Sequence, residues 1–501
     1  MLRATNYLHK FSKSFSSARL DLRFPLENIT SEDAIPKSFD KNRMLTKLEN
    51  GINVASCDTF GAQTTVGIVI KAGLRYEDLM ISGISHVVEK LAFQKTEQFP
   101  SRDAIQLHLE ENNAVFDCQT ARDFIIYASS GSRSNLNVFL NVLKETTLKP
   151  IITEENLEMA KKAIRNEHVA MSFTPPPDNI LSDLTHITAF GGRNLGNPKY
   201  CPLENIEKIQ IANITDYFSR IFHPDNFYII GVGIDHETMV NSCREIFTPW
   251  TPSLEKGPFA KANYLGGVHQ EIRDLKEYHS PMPEFGHVSL SFQGAGTENE
   301  ADYVTLSLLT SFLGGGGSFS SGGPGKGMYS RLYTNFLNQH HWVNSAQATN
   351  AVYSDISLFS LNASSFPQDL GILTSSLIVE LQNVLHNGMA KGELLRAKKQ
   401  LISMLLMNLE MKPVVFEDFA RQLINNGASK EPDHWTDLIN NTTEEQVIDY
   451  LRRLMLSKPT LVGFGQCNDF VKEDELNECV DAAVKNKLIK SFIPNFIKKY
   501  F

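Results

Sequence analysis

The chain has 501 residues, a formal net charge of −9 and an ordinary balance of 42% hydrophobic and 21% charged residues. That length exceeds a single hydrophobic core and implies two or more domains of roughly 200 residues, while the acidic balance argues against nucleic acid and suits basic ligands. No run approaches the ~18–20 continuous apolar residues of a membrane span, and Cys57, Cys118, Cys201, Cys243, Cys467 and Cys479, scattered without a C-x-x-C pair, read as reduced thiols.

The first twenty residues, MLRATNYLHKFSKSFSSARL, carry Arg3, Lys10, Lys13 and Arg19, six hydroxyl residues counting Tyr7, and no acid before Asp21. Leu8, Phe11 and Phe15 fall on one helical face. A basic, serine-rich, acid-free amphipathic start is the composition of a mitochondrial targeting peptide; a disordered basic tail is the plainer alternative. Residues 1–20 are therefore set aside from the fold, with cleavage expected within 16–25.

Val66–Gly73 (VGIVIKAG) alternates like a half-buried strand and leads into Gly83–Phe93, GISHVVEKLAF. On a helix, Ile84, Val87, Val88 and Leu91 make one apolar stripe, with His86, Glu89, Lys90 and Phe93 opposite. A plain amphipathic helix explains such a pattern. The sharper reading is the inverted zinc-peptidase signature H-x-x-E-H with its last residue replaced by Lys90. In that signature two histidines one turn apart hold zinc, and the glutamate between them activates water. A further ligand is expected from a later helix, and Glu167 in KKAIRNEH stands 77 residues after Lys90.

Phe227–Gly233 (FYIIGVG) closes the first half as another strand. Pro249–Gly286, holding Pro249, Pro252, Pro258, Pro281 and Pro283, has the composition of a connector. Val288–Ala295 (VSLSFQGA) then repeats the opening device 222 residues after Val66, followed by a helical pattern at Tyr303–Leu313 and a closing strand at Thr460–Gly465. The agreement in lengths suggests an internal duplication. The expected organisation is a domain at 36–258, a linker at 259–285 and a second domain at 286–501. Each is α+β, an antiparallel or mixed sheet packed with helices.

Between Gly314 and Gly327, eight of fourteen residues are glycine. Met328, Leu332 and Phe336 resume a helical spacing immediately afterwards. Glycine adds no packing and has the highest ordering entropy, so such a run between patterned helices points to close backbone approach or movement more than to a linker. A phosphate-binding P-loop is excluded, because G-x-x-x-x-G-K-[ST] ending at Lys326 would need glycine at Ser320 and a hydroxyl at Gly327. The run is read as a peptide-contacting loop.

Across about residues 40–465 the chain resembles the pitrilysin family of metallopeptidases. The resemblance is to its mitochondrial processing branch, which is closely related to the core subunits of respiratory complex III. It is carried by GGGGSFSSGGPGKGMYSRLY (314–333) with His340, His341 and Trp342, by HVVEKLAF (86–93), FDCQTARD (116–123) and YCPLENIEKI (200–209), and by YLGGVHQ (264–270) and FEDFARQ (416–422). The glycine run and the DCQT element are those of the alpha-type subunit; a catalytic beta subunit would carry the complete H-x-x-E-H.

The resemblance implies two homologous pitrilysin-like domains and a heterodimer with a catalytic beta subunit that holds the zinc. It implies basic presequence peptides as ligands and a location in the mitochondrial matrix. A structural core subunit of complex III, bound to the matrix face of the inner membrane, is the alternative and is compatible with the first role. Carried over residue by residue, Gly314, Gly315, Gly316, Gly317, Ser318, Phe319, Gly322, Gly323, Gly325, Lys326 and Gly327 become the substrate-binding loop. His86, Glu89, Lys90 and Glu167 become a vestigial metal site. An ammonium has three donors and no lone pair, and deprotonating it at neutral pH costs about 5 kcal/mol. No catalytic residue, metal or cofactor is therefore expected in this chain, and Lys90 is expected to pair with Glu167.

Overall fold

A computed structural model describes residues 42–59, 61–77, 81–173, 177–221, 223–247, 261–273, 284–317, 328–467 and 470–487. The expected targeting segment and most of the glycine run, 318–327, lie outside them. The first half contains β1 (Met44–Lys47), β2 (Asn53–Cys57), β3 (Gln63–Ile70), α1 (Ile84–Leu91), α2 (Arg102–Glu111), β4 (Val115–Thr120) and β5 (Ile125–Ser132). It continues with α3 (Leu136–Leu148), α4 (Glu154–Phe173), α5 (Pro177–Phe190), α6 (Leu203–Ile206), α7 (Ile211–Ile221), β6 (Phe227–Val232) and α8 (His236–Phe247). The second half contains β7 (Gly267–Ile272), β8 (Gly286–Ala295), α9 (Glu300–Leu313), β9 (Gly315–Gly317), β10 (Val343–Val352) and β11 (Ile356–Ser365). After them come α10 (Leu370–Asn387), α11 (Glu393–Asn408), α12 (Lys412–Asn426), α13 (Pro432–Asn441), α14 (Glu444–Met455), β12 (Thr460–Gly465) and α15 (Glu473–Val484).

The strands form two mixed sheets, ordered β1-β2-β6-β3-β5-β4 and β7-β12-β8-β11-β10-β9. The run β2-β6-β3-β5-β4 matches β7-β12-β8-β11-β10 in order and direction, with β2/β6 and β7/β12 as the parallel pairs. The duplication read from β3 and β8, and from β6 and β12, is thus a shared topology. One correction follows. The stretch expected to be a linker supplies β7, which the flanking prolines mask; it pairs along its whole length with β12 and is the counterpart of β2.

Strand alternation sorts side chains to two faces. Val66, Ile68 and Ile70 of β3 enter the first core with Ile84, Val87, Val88 and Leu91 of α1, and Val288, Leu290 and Phe292 of β8 enter the second. The opposite face of each sheet is covered by a helix from the other half. Helix α12 lays Val415, Phe416, Phe419 and Leu423 on Val69, Ile126, Ile230 and Val232 of the first sheet. Helix α5 lays Leu181 on Val462 and Phe464 and places Phe190 against Ile356 and Leu358 in the second. A Cβ at Gly67 would stand 2.5 Å from the Phe416 ring, so this glycine is what lets α12 approach.

Between the halves, Arg75 Nη2 donates to both carboxylate oxygens of Asp355 at 2.6 Å, with the two side chains 1% and 6% exposed. Burial would raise the Asp355 carboxyl, but the hydrogen bonds from Arg75 and the Ala262 N–H hold it below its usual range. Removing one partner of such a pair leaves a buried charge unmatched.

Phe416→Ala is expected to cost about 3–4 kcal/mol, read as a lowered urea midpoint for the full chain. A loss below about 1 kcal/mol would show that the exchanged helix does not hold the first sheet in place.

Candidate functional site: a lysine between two carboxylates

Helix α1 begins at a fixed point. The buried Glu77 carboxylate accepts from the Gly83 N–H (2.8 Å) and the Ser85 N–H (2.9 Å), satisfying donors that a helix start leaves open. Burial pushes this carboxyl up to about 7 in spite of those two bonds. Gly83 has a left-handed φ of 100°, and a Cβ there would lie 2.5 Å from Cys201 Cα. The glycine thus admits segment 200–209 against the start of the helix. The apolar stripe is buried as expected. On the other side His86 is also buried, at 4% exposure, while Glu89 and Lys90 are part-exposed. Phe93 departs from the helical projection: the helix ends at Leu91, and Phe93 turns into the core with a φ of 54°.

His86 Nδ1 accepts from the Cys201 N–H at 3.2 Å. A backbone N–H can only donate, so the ring proton sits on Nε2, which donates to Glu167 Oε2 at 3.1 Å. Tyr200 meets the ring edge-on, with centroids 5.9 Å apart. Glu167 comes from α4, whose next residue His168 donates from Nε2 to the Cys201 carbonyl at 2.8 Å. Lys90 Nζ lies 3.0 Å from Glu167 Oε2 and 3.3 Å from Glu89 Oε1, so the pairing with Glu167 expected from the sequence is present. The second oxygen of Glu89 accepts from the Thr120 N–H at 2.9 Å, at the end of the DCQT strand.

The hydrogen bond from His86 is the main influence on the Glu167 carboxyl; with help from Lys90 it outweighs burial and brings the group down to about 2. Burial works against the Lys90 charge, but Glu167 and Glu89 more than compensate and raise its pKa.

A zinc ion does not fit these residues. The atom that would ligate on His86 carries the proton, and moving that proton to Nδ1 would set it against the Cys201 N–H. Metal-binding histidines are usually arranged the other way, with the second nitrogen donating outward. Both oxygens of Glu89 are engaged, and the ammonium sits among the carboxylates a cation would use. Among the described residues no group of three His, Cys, Asp or Glu side chains is placed to hold a metal ion. The contributions of Thr120, Tyr200, Cys201 and His168 were not legible as site residues, because Thr120 and Cys201 act through backbone atoms.

Of the glycine run, Gly314–Gly317 are described, and three of the four are not a loop. Gly315–Gly317 form the edge strand β9, with Gly315 opposite Gln347 and Gly316 opposite Ala346. Gly314 and Gly315 hold positive φ of 56° and 100°; a Cβ on the second would meet Ala346 O at 2.0 Å. Ser330 Oγ accepts from the Gly315 N–H at 3.0 Å, and Tyr333 OH donates to Gly317 O at 3.1 Å. Gly314, Gly315 and Gly316 are thus required by packing at the sheet edge, whereas a Cβ at Gly317 would meet nothing within 4 Å. Ser318, Phe319, Gly322, Gly323, Gly325, Lys326 and Gly327 lie outside the described residues. The helix expected after the run is a single wide turn, Leu332–Leu337, with Leu332 and Phe336 buried and Met328 exposed. His340 meets Phe336 edge-on (5.1 Å between centroids) and Trp342 at a tilt (5.6 Å), and serves packing.

Residues 53–203 match the family described as "Insulinase (Peptidase family M16)", and residues 208–401 match "Peptidase M16 inactive domain". The chain belongs to this peptidase family, M16, also called the pitrilysin family. Within it, the chain is similar to mitochondrial-processing peptidase alpha subunits. It is 36% identical to that of Caenorhabditis elegans over 94% of each chain, and 36% identical to that of Homo sapiens over 85% of this chain and 82% of the other. A probable alpha subunit of Schizosaccharomyces pombe is 33% identical over 84% and 83%. A solved protease from Helicobacter pylori shares the fold, with a TM-score of 0.75 over 85% of this chain and all of that one at 18% identity.

Lys90→His should therefore not create a zinc site. The isolated full chain carrying this change is expected to retain substoichiometric zinc after gel filtration in zinc-containing buffer; one tightly held zinc per chain would overturn the account of His86.

Proposed function

We propose that this chain is the non-catalytic, substrate-recognising alpha subunit of a heterodimeric mitochondrial peptidase that removes basic presequences from imported precursors. Its partner, a catalytic beta subunit, would carry the zinc. The observation that supports a non-catalytic role is the Lys90 ammonium seated between Glu89 and Glu167, with His86 protonated on the nitrogen a metal would need. The similarity over most of the chain to proteins named as processing peptidase alpha subunits favours this role over that of a complex III core subunit. No described helix is long and apolar enough to cross a membrane.

In this role the chain works by binding. Residues Ser318–Gly327, leaving the edge strand β9, are the proposed contact with an extended peptide, and Phe319 is the large apolar side chain available for it. Glycine-rich sequence leaves backbone N–H and C=O groups little covered by side chains, which suits strand-like docking. The net charge of −9 adds attraction for arginine-rich peptides, which weakens with salt as the Debye length falls to about 8 Å at 0.15 M. Holding the scissile peptide in place assists cleavage even when the reacting groups belong to the other subunit.

Two experiments test the reading. Glu89→Gln in this chain is expected to leave processing by the assembled heterodimer nearly unchanged, whereas the same change at the corresponding glutamate of the partner abolishes it by removing the general base. Equal losses would reverse the assignment of the catalytic subunit. Separately, deletion of Ser318–Gly325, which spares β9, is expected to weaken presequence-peptide affinity about tenfold or more with little change in thermal midpoint. Affinity and cleavage both at the wild-type level would remove the loop from substrate binding.

A further inference from the structure

Strand β9 is the one strand of the second sheet without a counterpart in the first, since the five shared strands end at β10. Its residues, Gly315–Gly317, bring no side chain to a core, and ordering glycine costs more chain entropy than ordering any other residue. Apolar burial therefore does not account for it. What holds it is a set of contacts from the segment that follows the glycine run.

Register against β10 sorts the backbone groups of β9. The Ala348 N–H donates to Gly314 O at 2.8 Å, and Gln347, Ala346 and Ser345 stand opposite Gly315, Gly316 and Gly317. Hydrogen-bonded pairs alternate in an antiparallel ladder, so Gly314 and Gly316 face β10, while the N–H and C=O groups of Gly315 and Gly317 point to the open edge. Two of these edge groups are already taken. Ser330 Oγ accepts from the Gly315 N–H at 3.0 Å, and Tyr333 OH donates to Gly317 O at 3.1 Å. Both residues are buried, at 0% and 7% exposure. The fit is close: a Cβ at Gly314 would stand 2.4 Å from Ser330 Cβ, and one at Gly316 would stand 2.6 Å from the Tyr333 hydroxyl.

The residues that make these contacts are themselves fixed. Arg331, next to Ser330, pairs with Glu380 of α10 at 2.6 Å and with Glu393 at the start of α11 at 3.2 Å, and all three side chains are largely buried. Tyr333 belongs to the wide turn Leu332–Leu337, in which the Asn338 N–H reaches back five residues to Tyr333 O at 3.0 Å. Such turns are one residue wider than an α-helical turn and recur at functional sites. The chain on either side of residues 318–327 is thus joined by two hydrogen bonds anchored in the second core.

We propose that Ser330 and Tyr333 are positioning residues for peptide recognition, clamping β9 to the segment after the glycine run and so fixing where the run begins and ends; this rests on the peptide-recognition reading above. Ordering a contact segment on binding subtracts from affinity, and ends that are fixed beforehand reduce that loss. The clamp also occupies two of the backbone groups on the β9 edge. An extended peptide therefore does not add there as a further strand, and the contact falls to the run beyond Gly317.

The test uses the full chain assembled with its partner subunit and a fluorescence-quenched peptide of basic presequence type. Tyr333→Phe keeps the ring and removes only the hydroxyl. It is expected to raise KM about fivefold, the scale of one neutral hydrogen bond, with kcat little changed because the reacting groups belong to the partner. Ser330→Ala should act in the same direction. Deletion of Ser318–Gly325 raises KM by itself, and adding Tyr333→Phe to the deletion should raise it no further, because the clamp then has no run to position. Tyr264→Phe removes a tyrosine hydroxyl bonded to Lys458 O at 2.7 Å, far along the chain from the run, and controls for lost stability; its KM should stay at the wild-type value. Wild-type KM for both Tyr333→Phe and Ser330→Ala, an equal rise for Tyr264→Phe, or the same Tyr333→Phe effect with and without the run would each overturn the clamp while leaving the recognition reading in place. Wild-type KM after the deletion would overturn the reading itself.

Discussion

Each sheet in this protein is closed by a helix from the opposite half of the chain, and the rest of the structure depends on that exchange. A sheet with one face on its own helices still has a second apolar face to bury. In the first sheet that face is met by Val415, Phe416, Phe419 and Leu423 of α12, and the second is met by Leu181 and Phe190 of α5. Neither half completes its burial alone. The buried Arg75–Asp355 pair then fixes the orientation, because a desolvated ion pair tolerates little displacement. Two of the motifs that carry the family resemblance belong to this seam. FEDFARQ is the body of α12, and YLGGVHQ leads into β7, with Tyr264 OH bonded to Lys458 O at 2.7 Å.

At the site proposed as a vestigial metal position, two carboxylates share the monocation of Lys90. The supporting groups agree with a monocation there: the Cys201 N–H fixes the His86 proton on Nε2, and the Thr120 N–H holds the free oxygen of Glu89. These are backbone donors set by the approach of segment 200–209 at Gly83 and by the end of β4. A single side-chain reversal at position 90 would leave both in place. The site has become a structural junction between α1, α4, β4 and that segment.

Much of this was legible in the sequence wherever side chains alternate against one core. The strands VGIVI and VSLSF, the closing strands FYIIG and TLVGFG, and the α1 stripe all declare themselves by periodicity. Lys90 and Glu167 were legible because the H-x-x-E-H signature expects a further ligand from a later helix, and a lysine in the motif pairs with that acid by charge. β7 was hidden, since GVHQEI at a sheet edge is only half-buried and lies between prolines. The exchange was hidden for another reason: α5 and α12 are amphipathic like any other helix, and nothing in their pattern says which sheet they cover. Thr120 and Cys201 contribute backbone N–H groups, which no side-chain signature reveals. Gly314–Gly316 looked like a loop because steric close approach and flexibility use the same residue.

The duplication explains why these features sit where they do. In the first half the segment after α1 is the short connection Ala92–Ser101; the second half places the glycine run after α9, the helix that follows the equivalent strand. Helix α1, which carries His86, Glu89 and Lys90, and helix α9, which the glycine run follows in sequence, therefore stand at corresponding points of the two repeats. In the first repeat Lys90 of that helix is paired with Glu167 and Glu89. On the covered face of the second sheet Ser291 and Ser360 stand opposite each other where the first sheet pairs Val69 with Ile126. The two hydroxyls satisfy each other at 2.7 Å, so the second face stays covered by α5 with less apolar burial than the first has beneath α12.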